Sequence, residues 1–209
     1  YMFYNCTSLT SITIPEGATI NSDTFSGCTS LASVTISSGV TINSNAFSGC
    51  TSLTTIILLE GVTSIGDKAF SGCTSLATIE LPESVTSIGQ YAFSGCKLLE
   101  SIEIPSSVTS IGNNAFSKCT SLTSIDLPEA VTSFGNSVFS GCTSLTSIVL
   151  PYGITSISES EFAGFKFLSS VVLPGSVTSI GDKAFSGCAS LTSIVLSEGV
   201  TSIGSYAFS

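Results

Sequence analysis

The residues of this chain best suited to chemistry are its eight cysteines, Cys6, Cys28, Cys50, Cys73, Cys96, Cys119, Cys142 and Cys188. Cysteine thiolates form disulfides, bind metals or act as nucleophiles. The near-constant spacing puts all eight at one position of a repeat, so stacked copies have parallel Cα–Cβ vectors about 4.8 Å apart, whereas a disulfide needs converging ones. We therefore expect free, buried thiols, and Phe165 at the equivalent position of one repeat favours the same reading. Disulfides and a metal site are the alternatives, although no CxxC or CxH spacing supports zinc.

Carboxylates are the other candidates for chemistry, because the chain has no histidine, no arginine and no tryptophan. Without histidine a Ser-His-Asp triad cannot form. Two carboxylates could serve a glycosidase, but a regular strand face lacks the cleft that holds and desolvates a sugar. We predict that the protein is not an enzyme and has no catalytic residue, no metal and no cofactor.

Composition limits the classes of partner. Only 9% of the residues are charged and the net charge is −9, against about 25% charged in an ordinary soluble domain. An acidic chain without arginine repels nucleic acid and anionic lipid. The longest aliphatic stretch, Ile56 to Leu59, is far shorter than the roughly 20 residues of a membrane-spanning helix. We predict no nucleic-acid partner and no membrane insertion.

An internal repeat organises the chain. Phenylalanine recurs every 22 residues twice and then every 23 residues, at Phe3, Phe25, Phe47, Phe70, Phe93, Phe116, Phe139, Phe162, Phe185 and Phe208. A unit of this length buries too few apolar side chains to fold alone, so successive units must stack. The sequence predicts one solenoid domain over residues 1–209, with about nine repeats, as part of a longer array.

Each repeat can be divided into three short elements. The first element is an extended strand; in the repeat that begins at Leu76, the apolar residues Leu76, Ile79 and Leu81 recur along this strand, and Pro82 ends it. A corner follows, then a second extended segment of the type Val-Thr-Ser-Ile, and then a second corner at Gly89. The Ala-Phe-Ser-Gly-Cys segment is predicted to be a single helical or 3₁₀ turn. Its N-caps would be Asp67, Asn113, Asn136 and Asp182.

These motifs resemble a known family. The LxxIxL segments at Leu53 to Leu58, Leu76 to Leu81 and Leu191 to Leu196 are similar to leucine-rich repeats, and the string VTSIGxxAFSGCTSLTSIxLP resembles the BspA-like subfamily of cell-surface proteins. The resemblance implies a right-handed, β-rich leucine-rich-repeat solenoid with a parallel concave sheet of short strands and helical turns on the convex side. The usual asparagine ladder is missing, since its positions hold Gly61, Ser84, Ser107, Ala130, Gly153 and Ser176. We expect another hydrogen-bond arrangement there, such as a second parallel sheet of the Val-Thr-Ser-Ile segments.

Function should lie where the repeats differ from one another. The exposed residue before the last leucine of each strand runs Thr13, Thr35, Ile57, Glu80, Glu103, Asp126, Val149, Val172, Val195. An acidic block, with Glu100 nearby, is thus followed by an apolar block. Carboxylates about 4.8 Å apart repel by about 1 kcal/mol per pair in water, which favours a cation or a basic partner. The alternative for the acidic block is that its carboxylates point apart into solvent, with Lys97 partly neutralising Glu100. The alternative for the valines is that they only favour strand formation and bind nothing. The predicted ligand-binding residues are Ile57, Glu80, Glu100, Glu103, Asp126, Val149, Val172 and Val195.

The seventh repeat is the most irregular, because Glu161 stands where other repeats have alanine and Phe167 where most have serine. Tyr152 and Phe167 could form an exposed aromatic patch, with Phe167 packing over Phe165 as the alternative.

The resemblance implies a non-enzymatic adhesion or ligand-binding module at the cell surface or outside the cell. Expected partners are host matrix or cell-surface proteins, or carbohydrate. The alternative function is a structural rod or filament that assembles head to tail through open solenoid ends. An intracellular scaffold is a third reading, since buried thiols also suit a reducing compartment.

Overall fold

The computed structural model describes residues 2–209, which form a solenoid of parallel strands around one continuous apolar core. Each turn contributes a two-residue strand to one side, here called the rear sheet, and all turns but one contribute a longer strand to the other side, the front sheet. The front strands are β1 (Ser11–Ile14), β3 (Ser33–Ile36), β5 (Thr55–Leu58), β8 (Ser101–Glu103), β10 (Ser124–Asp126), β12 (Ser147–Val149), β14 (Ser170–Val172) and β16 (Ser193–Val195). The rear strands are β2 (Thr19–Ile20), β4 (Thr41–Ile42), β6 (Ser64–Ile65), β7 (Ser87–Ile88), β9 (Ser110–Ile111), β11 (Ser133–Phe134), β13 (Ser156–Ile157), β15 (Ser179–Ile180) and β17 (Ser202–Ile203).

We number the turns one to nine by their rear strands. Turn four lacks a regular front strand over residues 77–81, so the front sheet divides into β1-β3-β5 and β8-β10-β12-β14-β16. The division coincides with a change in the corner that follows the strand. Turns one to three turn this corner at a glycine with positive φ, namely Gly17, Gly39 and Gly61, whereas Ser84 holds that position in turn four.

The rear sheet confirms that a second parallel sheet replaces the missing asparagine ladder. Serine hydroxyls at the asparagine positions add bonds between turns. The Ser84 hydroxyl donates to the Val62 carbonyl at 2.9 Å, and those of Ser107 and Ser176 donate to Val85 and Ile154 at 2.6 Å. At these three corners a carbonyl is therefore satisfied by the next turn.

The predicted helical or 3₁₀ turn is absent, because residues 2–209 contain no helix. The segment instead forms successive hydrogen-bonded turns, and the residue before the alanine lies in the left-handed region, as at Lys68 with φ 56° and Tyr91 with φ 55°. A left-handed residue reverses the helical path, so the turn cannot continue as a helix. We call this segment the Phe-Cys turn.

The predicted N-caps have a different role from the one expected. The Asp67 carboxylate accepts from the N–H of Gln90, 2.7 Å away in the next solenoid turn, and not from its own Phe-Cys turn. Asn113 accepts in the same way from Asn136 N–H at 2.8 Å, and Asp182 from Ser205 N–H at 2.7 Å. These side chains therefore join neighbouring turns. Asn136 departs from the pattern, since its side-chain oxygen accepts from the Ser158 hydroxyl at 3.1 Å.

Phenylalanine rings and cysteine thiols form the centre of the core. From Phe3 to Phe139 the rings stack with centroids 5.2–5.9 Å apart. Each cysteine thiol from Cys28 onward donates to the carbonyl of the phenylalanine one turn earlier, at 3.0–3.2 Å. The thiol thus packs as a small apolar group and also satisfies a buried carbonyl.

Candidate functional site

All the predicted binding residues except Glu100 lie along one row on the outer surface of the front sheet. Strand register pairs Thr13 with Thr35 and Thr35 with Ile57. It also pairs Glu103 with Asp126, Asp126 with Val149, Val149 with Val172, and Val172 with Val195. Glu80 lies in turn four, where the front strand is interrupted. We call these nine positions the front row.

The front row faces solvent, and its side chains change along its length from threonine and Ile57 to carboxylates and then to valines. The core-facing neighbours Ile125 and Ile148 are buried, whereas Val149, Val172 and Val195 are 57%, 58% and 79% exposed. Glu80, Glu103 and Asp126 are exposed as well. Consecutive positions are separated by the strand spacing of about 4.8 Å. A surface that meets this row would face threonine, then carboxylates, then valines.

The acidic block borders a shallow groove of about 460 Å³ between β8 and β10. Glu83, Glu103 and Asp126 contribute its carboxylates, and Ser101, Ser106 and Ser124 contribute hydroxyls. Ser106 donates to Glu83 at 3.1 Å. The groove is open to solvent and polar, which suits a cationic side chain better than an enclosed small molecule.

The remaining predicted residues lie at the edges of the front sheet. Glu100 directly precedes β8, and its backbone carbonyl accepts from Thr123 N–H at 3.1 Å. Phe167 precedes β14, and Tyr152 follows β12 at the opposite edge; they are 60% and 70% exposed. The structure does not bring these two rings into one patch, because the width of the sheet separates them. Phe165 packs edge-on against Phe162 with centroids 5.6 Å apart.

All eight cysteines are free thiols, and the six from Cys28 to Cys142 are buried. Burial raises the pKa of the Cys50 thiol to about 12 and raises the pKa values of Cys73 and Cys96 well above their usual range. A thiol whose pKa is raised in this way is a poor nucleophile and a poor metal ligand at neutral pH. Residues 2–209 contain no cluster of three or more His, Cys, Asp or Glu side chains that could hold a metal ion.

Glu161 is a charged side chain whose burial the sequence did not predict. It is 2% exposed; one carboxyl oxygen accepts from Phe139 N–H at 2.8 Å, and Oε2 is buried without a hydrogen-bond partner. Burial raises the pKa of this carboxyl to about 7, although hydrogen bonds from neighbouring N–H groups oppose the rise. The sequence signal was a glutamate at a position that most other repeats fill with alanine.

Comparisons with known proteins agree with this architecture. A leucine-rich cell surface protein from Faecalibacterium prausnitzii A2-165 is 34% identical, with a TM-score of 0.58 over 92% of this chain and 61% of that protein, so this chain spans less than two thirds of its relative. A leucine-rich repeat protein from T. pallidum is 35% identical, with a TM-score of 0.67 over 89% of this chain and 77% of the other. The pneumococcal vaccine antigen PcpA is 21% identical with a TM-score of 0.63, over 94% of this chain and 68% of PcpA, and shares the fold. A search of curated proteins found no match.

Two further findings concern the chain as a whole. In the described part of the chain no helix is long and apolar enough to cross a membrane. The model of the BspA type leucine rich repeat region matches residues 1–122, 40–167 and 86–209, with six copies. Because these matches together span every turn that carries the phenylalanine and cysteine ladders, the chain belongs to the BspA-type leucine-rich-repeat family.

Proposed function

We propose that this chain is a non-enzymatic binding module at the cell surface, and that the front row contacts a protein partner. The single observation that carries the proposal is the order of the row, in which exposed carboxylates precede exposed valines: Glu103, Asp126, Val149, Val172 and Val195 lie in register on one parallel sheet, and Glu80 precedes them in the interrupted turn four. The description of the F. prausnitzii relative as a cell surface protein supports the location.

The chemistry of the row describes the partner. Adjacent carboxylates at Glu80, Glu103 and Asp126 repel one another, and lysine or arginine side chains relieve that repulsion. The exposed faces of Val149, Val172 and Val195 gain free energy when an apolar surface covers them. The partner is therefore a protein whose contact surface changes from basic to apolar over about 25 Å, which is five strand spacings.

Binding can be measured by biolayer interferometry against immobilised collagen, fibronectin and laminin. The variant E80T/E103T/D126T replaces the acids with the residue that Thr13 and Thr35 supply to the same row, so strand propensity is kept. We expect it to weaken binding at least tenfold and to reduce its salt dependence. V149T/V172T/V195T should weaken binding without changing the salt dependence.

A charge-matched control removes three exposed acids outside the row, E16T/E60T/E198T, and should bind like the wild type. The proposal is wrong if the wild type binds none of these proteins, or if the row variants bind as tightly as this control. Light scattering of the free chain reports any self-association. If the chain binds only to other copies of itself, the structural-rod alternative is favoured.

A further inference from the structure

The rear of the solenoid is interrupted between turns six and seven. Rear strands β2 to β11 form one sheet and β13 to β17 another, and no pairing joins β11 to β13. Elsewhere the residue after the rear strand donates to the preceding turn, as Gly135 N–H does to Ile111 and Gly181 N–H to Ile157, both at 2.8 Å. The equivalent bond from Ser158 to Phe134 is missing from the described structure.

The Phe-Cys turns separate at the same boundary. Other turns join here through three N–H groups, as when Tyr91 donates to Asn113 at 2.9 Å, and Phe93 to Ala115 and Gly95 to Ser117 at 2.8 Å. Between turns six and seven, Phe139 N–H bonds instead to the Glu161 side chain. The ring stack also breaks here, since it runs from Phe3 to Phe139 and resumes only from Phe162 to Phe185. Phe139 makes a tilted contact with Phe134 of its own turn, with centroids 5.9 Å apart at 42°.

Ser158 supplies a steric reason for the gap. From turn three onward the other turns have glycine at this position. A Cβ on Gly112 would lie 2.6 Å from the Gln90 nitrogen of the preceding turn, and one on Gly181 would lie 2.6 Å from the Glu159 nitrogen. These distances are too short for a side chain, so the bonds of about 2.8 Å between these turns require glycine. Asn43 holds this position in turn two, and its N–H reaches Ile20 of turn one only at 3.3 Å. Ser158 also carries a Cβ, and turn seven therefore cannot pack against turn six as closely as the turns with glycine do.

The front sheet remains connected across the boundary, but narrowly. Neighbouring front strands such as β8 and β10 pair through three residues each, whereas β10 and β12 pair through Asp126 and Val149 alone. That pair is also the point at which the acidic block of the front row meets the apolar block. The boundary therefore separates the two halves of the proposed binding surface.

The interrupted rear encloses a carboxyl group. Glu161 is buried with Oε2 unpartnered, beside a cleft of about 400 Å³ that Asn136, Ser137, Ser158, Glu159 and Ser160 line. The groups that face its carboxyl are the N–H groups of Ser137, Val138 and Phe139, the Ser158 hydroxyl and the Cys142 thiol. None of these groups is a cation, so the ionised Glu161 carboxylate would be only partly solvated as long as the boundary between turns six and seven stays closed.

We propose that the boundary between turns six and seven is a proton-sensitive hinge, in which the front sheet stays connected while ionisation of Glu161 opens the rear. A neutral Glu161 fits its buried position, whereas the carboxylate draws in water from the adjoining polar cleft. Opening changes the angle between the acidic and apolar blocks of the front row. This consequence for binding rests on the proposed function, but the hinge itself does not.

Hydrogen exchange with mass spectrometry at pH 5.5 and pH 8 tests the hinge, with protection factors corrected for intrinsic exchange. In the wild type we expect residues 136–142 and 154–159 to exchange at least tenfold faster at pH 8 than at pH 5.5. Residues 113–119, at the intact boundary of turns five and six, should show no such change. E161Q should abolish the pH dependence, and E159Q, which changes an exposed acid on the same turn, should keep it.

A second variant protects the test against a failure of E161Q to fold. S158G/E161A restores the glycine and alanine of the other turns and should protect these segments at both pH values. The hinge is refuted if wild-type protection is the same at both pH values, or if E161Q retains the dependence. No partner is needed for this experiment, so its failure leaves the binding proposal standing, and failure of the binding assay leaves the hinge standing.

Discussion

Glu161 shows how one side chain can replace several backbone bonds. Its carboxyl occupies the place where the carbonyls of turn seven would otherwise meet the N–H groups of turn six. A buried carboxylate costs free energy unless all its lone pairs are satisfied, and here Oε2 is not. The residue therefore stabilises the boundary when protonated and weakens it when ionised.

The pH dependence of stability follows from that shift. Burial raises the pKa of Glu161 to about 7 from the ordinary 4.5, so the folded chain binds the proton more tightly than the unfolded chain. The resulting stabilisation is complete below pH 4.5 and disappears as pH rises through 7. At pH 8 the wild type must bury an ionised carboxylate, whereas E161Q buries a neutral amide. We therefore expect E161Q to be more stable than the wild type at pH 8 by up to about 3 kcal/mol, with a small difference at pH 4.5. Urea unfolding at both pH values measures this, and an E161Q variant less stable at pH 8 would contradict it.

The cysteine ladder makes a separate prediction at the residue scale. A thiol reagent should label the native chain poorly and label all eight cysteines after unfolding without reductant. C96A removes a donor to the Phe70 carbonyl and should lower the free energy of unfolding by about 1–2 kcal/mol. C96S, which keeps a hydroxyl donor, separates loss of the bond from loss of the sulfur. Fewer than eight labelled thiols in the unfolded chain would reveal disulfides.

At the scale of elements, glycine after the rear strand permits the close approach of neighbouring turns from turn three onward. G112S gives turn five the residue that Ser158 gives turn seven, and its side chain would collide with the backbone of Gln90. We expect G112S to break the Gly112–Ile88 hydrogen bond and destabilise the chain by about 1–3 kcal/mol. It should also create a new fast-exchanging boundary between turns four and five. Unchanged protection there would show that Ser158 is not the cause of the natural gap.

The elements differ in how well their sequence predicts them. Periodicity was sufficient for both parallel sheets and for the order of the front row, because these depend on residues that alternate in and out. The Phe-Cys turn was wrongly predicted as helical, since Lys68 and Tyr91 are not residue types that signal a positive φ. The gap at Ser158 depends on the distance between consecutive turns, and this distance cannot be predicted from the residue pattern of a single turn.

As a whole molecule, the chain is a rod with two interruptions on opposite sides. The front sheet is broken at turn four while the rear sheet is continuous there, through Ser64 paired with Ser87. The rear sheet is broken between turns six and seven, where the front sheet continues. Since contacts in a solenoid are mainly between neighbouring turns, each interruption locally weakens the coupling along the rod. The acidic and apolar blocks of the front row consequently lie in segments that can move relative to each other.

Hydroxyl-radical footprinting of the chain, free and bound to whichever of collagen, fibronectin or laminin it binds, tests most directly whether the front row is the binding surface. Ile57, Val149, Val172 and Val195 should lose most of their oxidation when the partner is present. Tyr91 and Tyr206 are exposed on the Phe-Cys turns, away from the row, and should be oxidised equally in both states. Protection of these tyrosines without protection of the row, or binding that protects neither, would contradict the account.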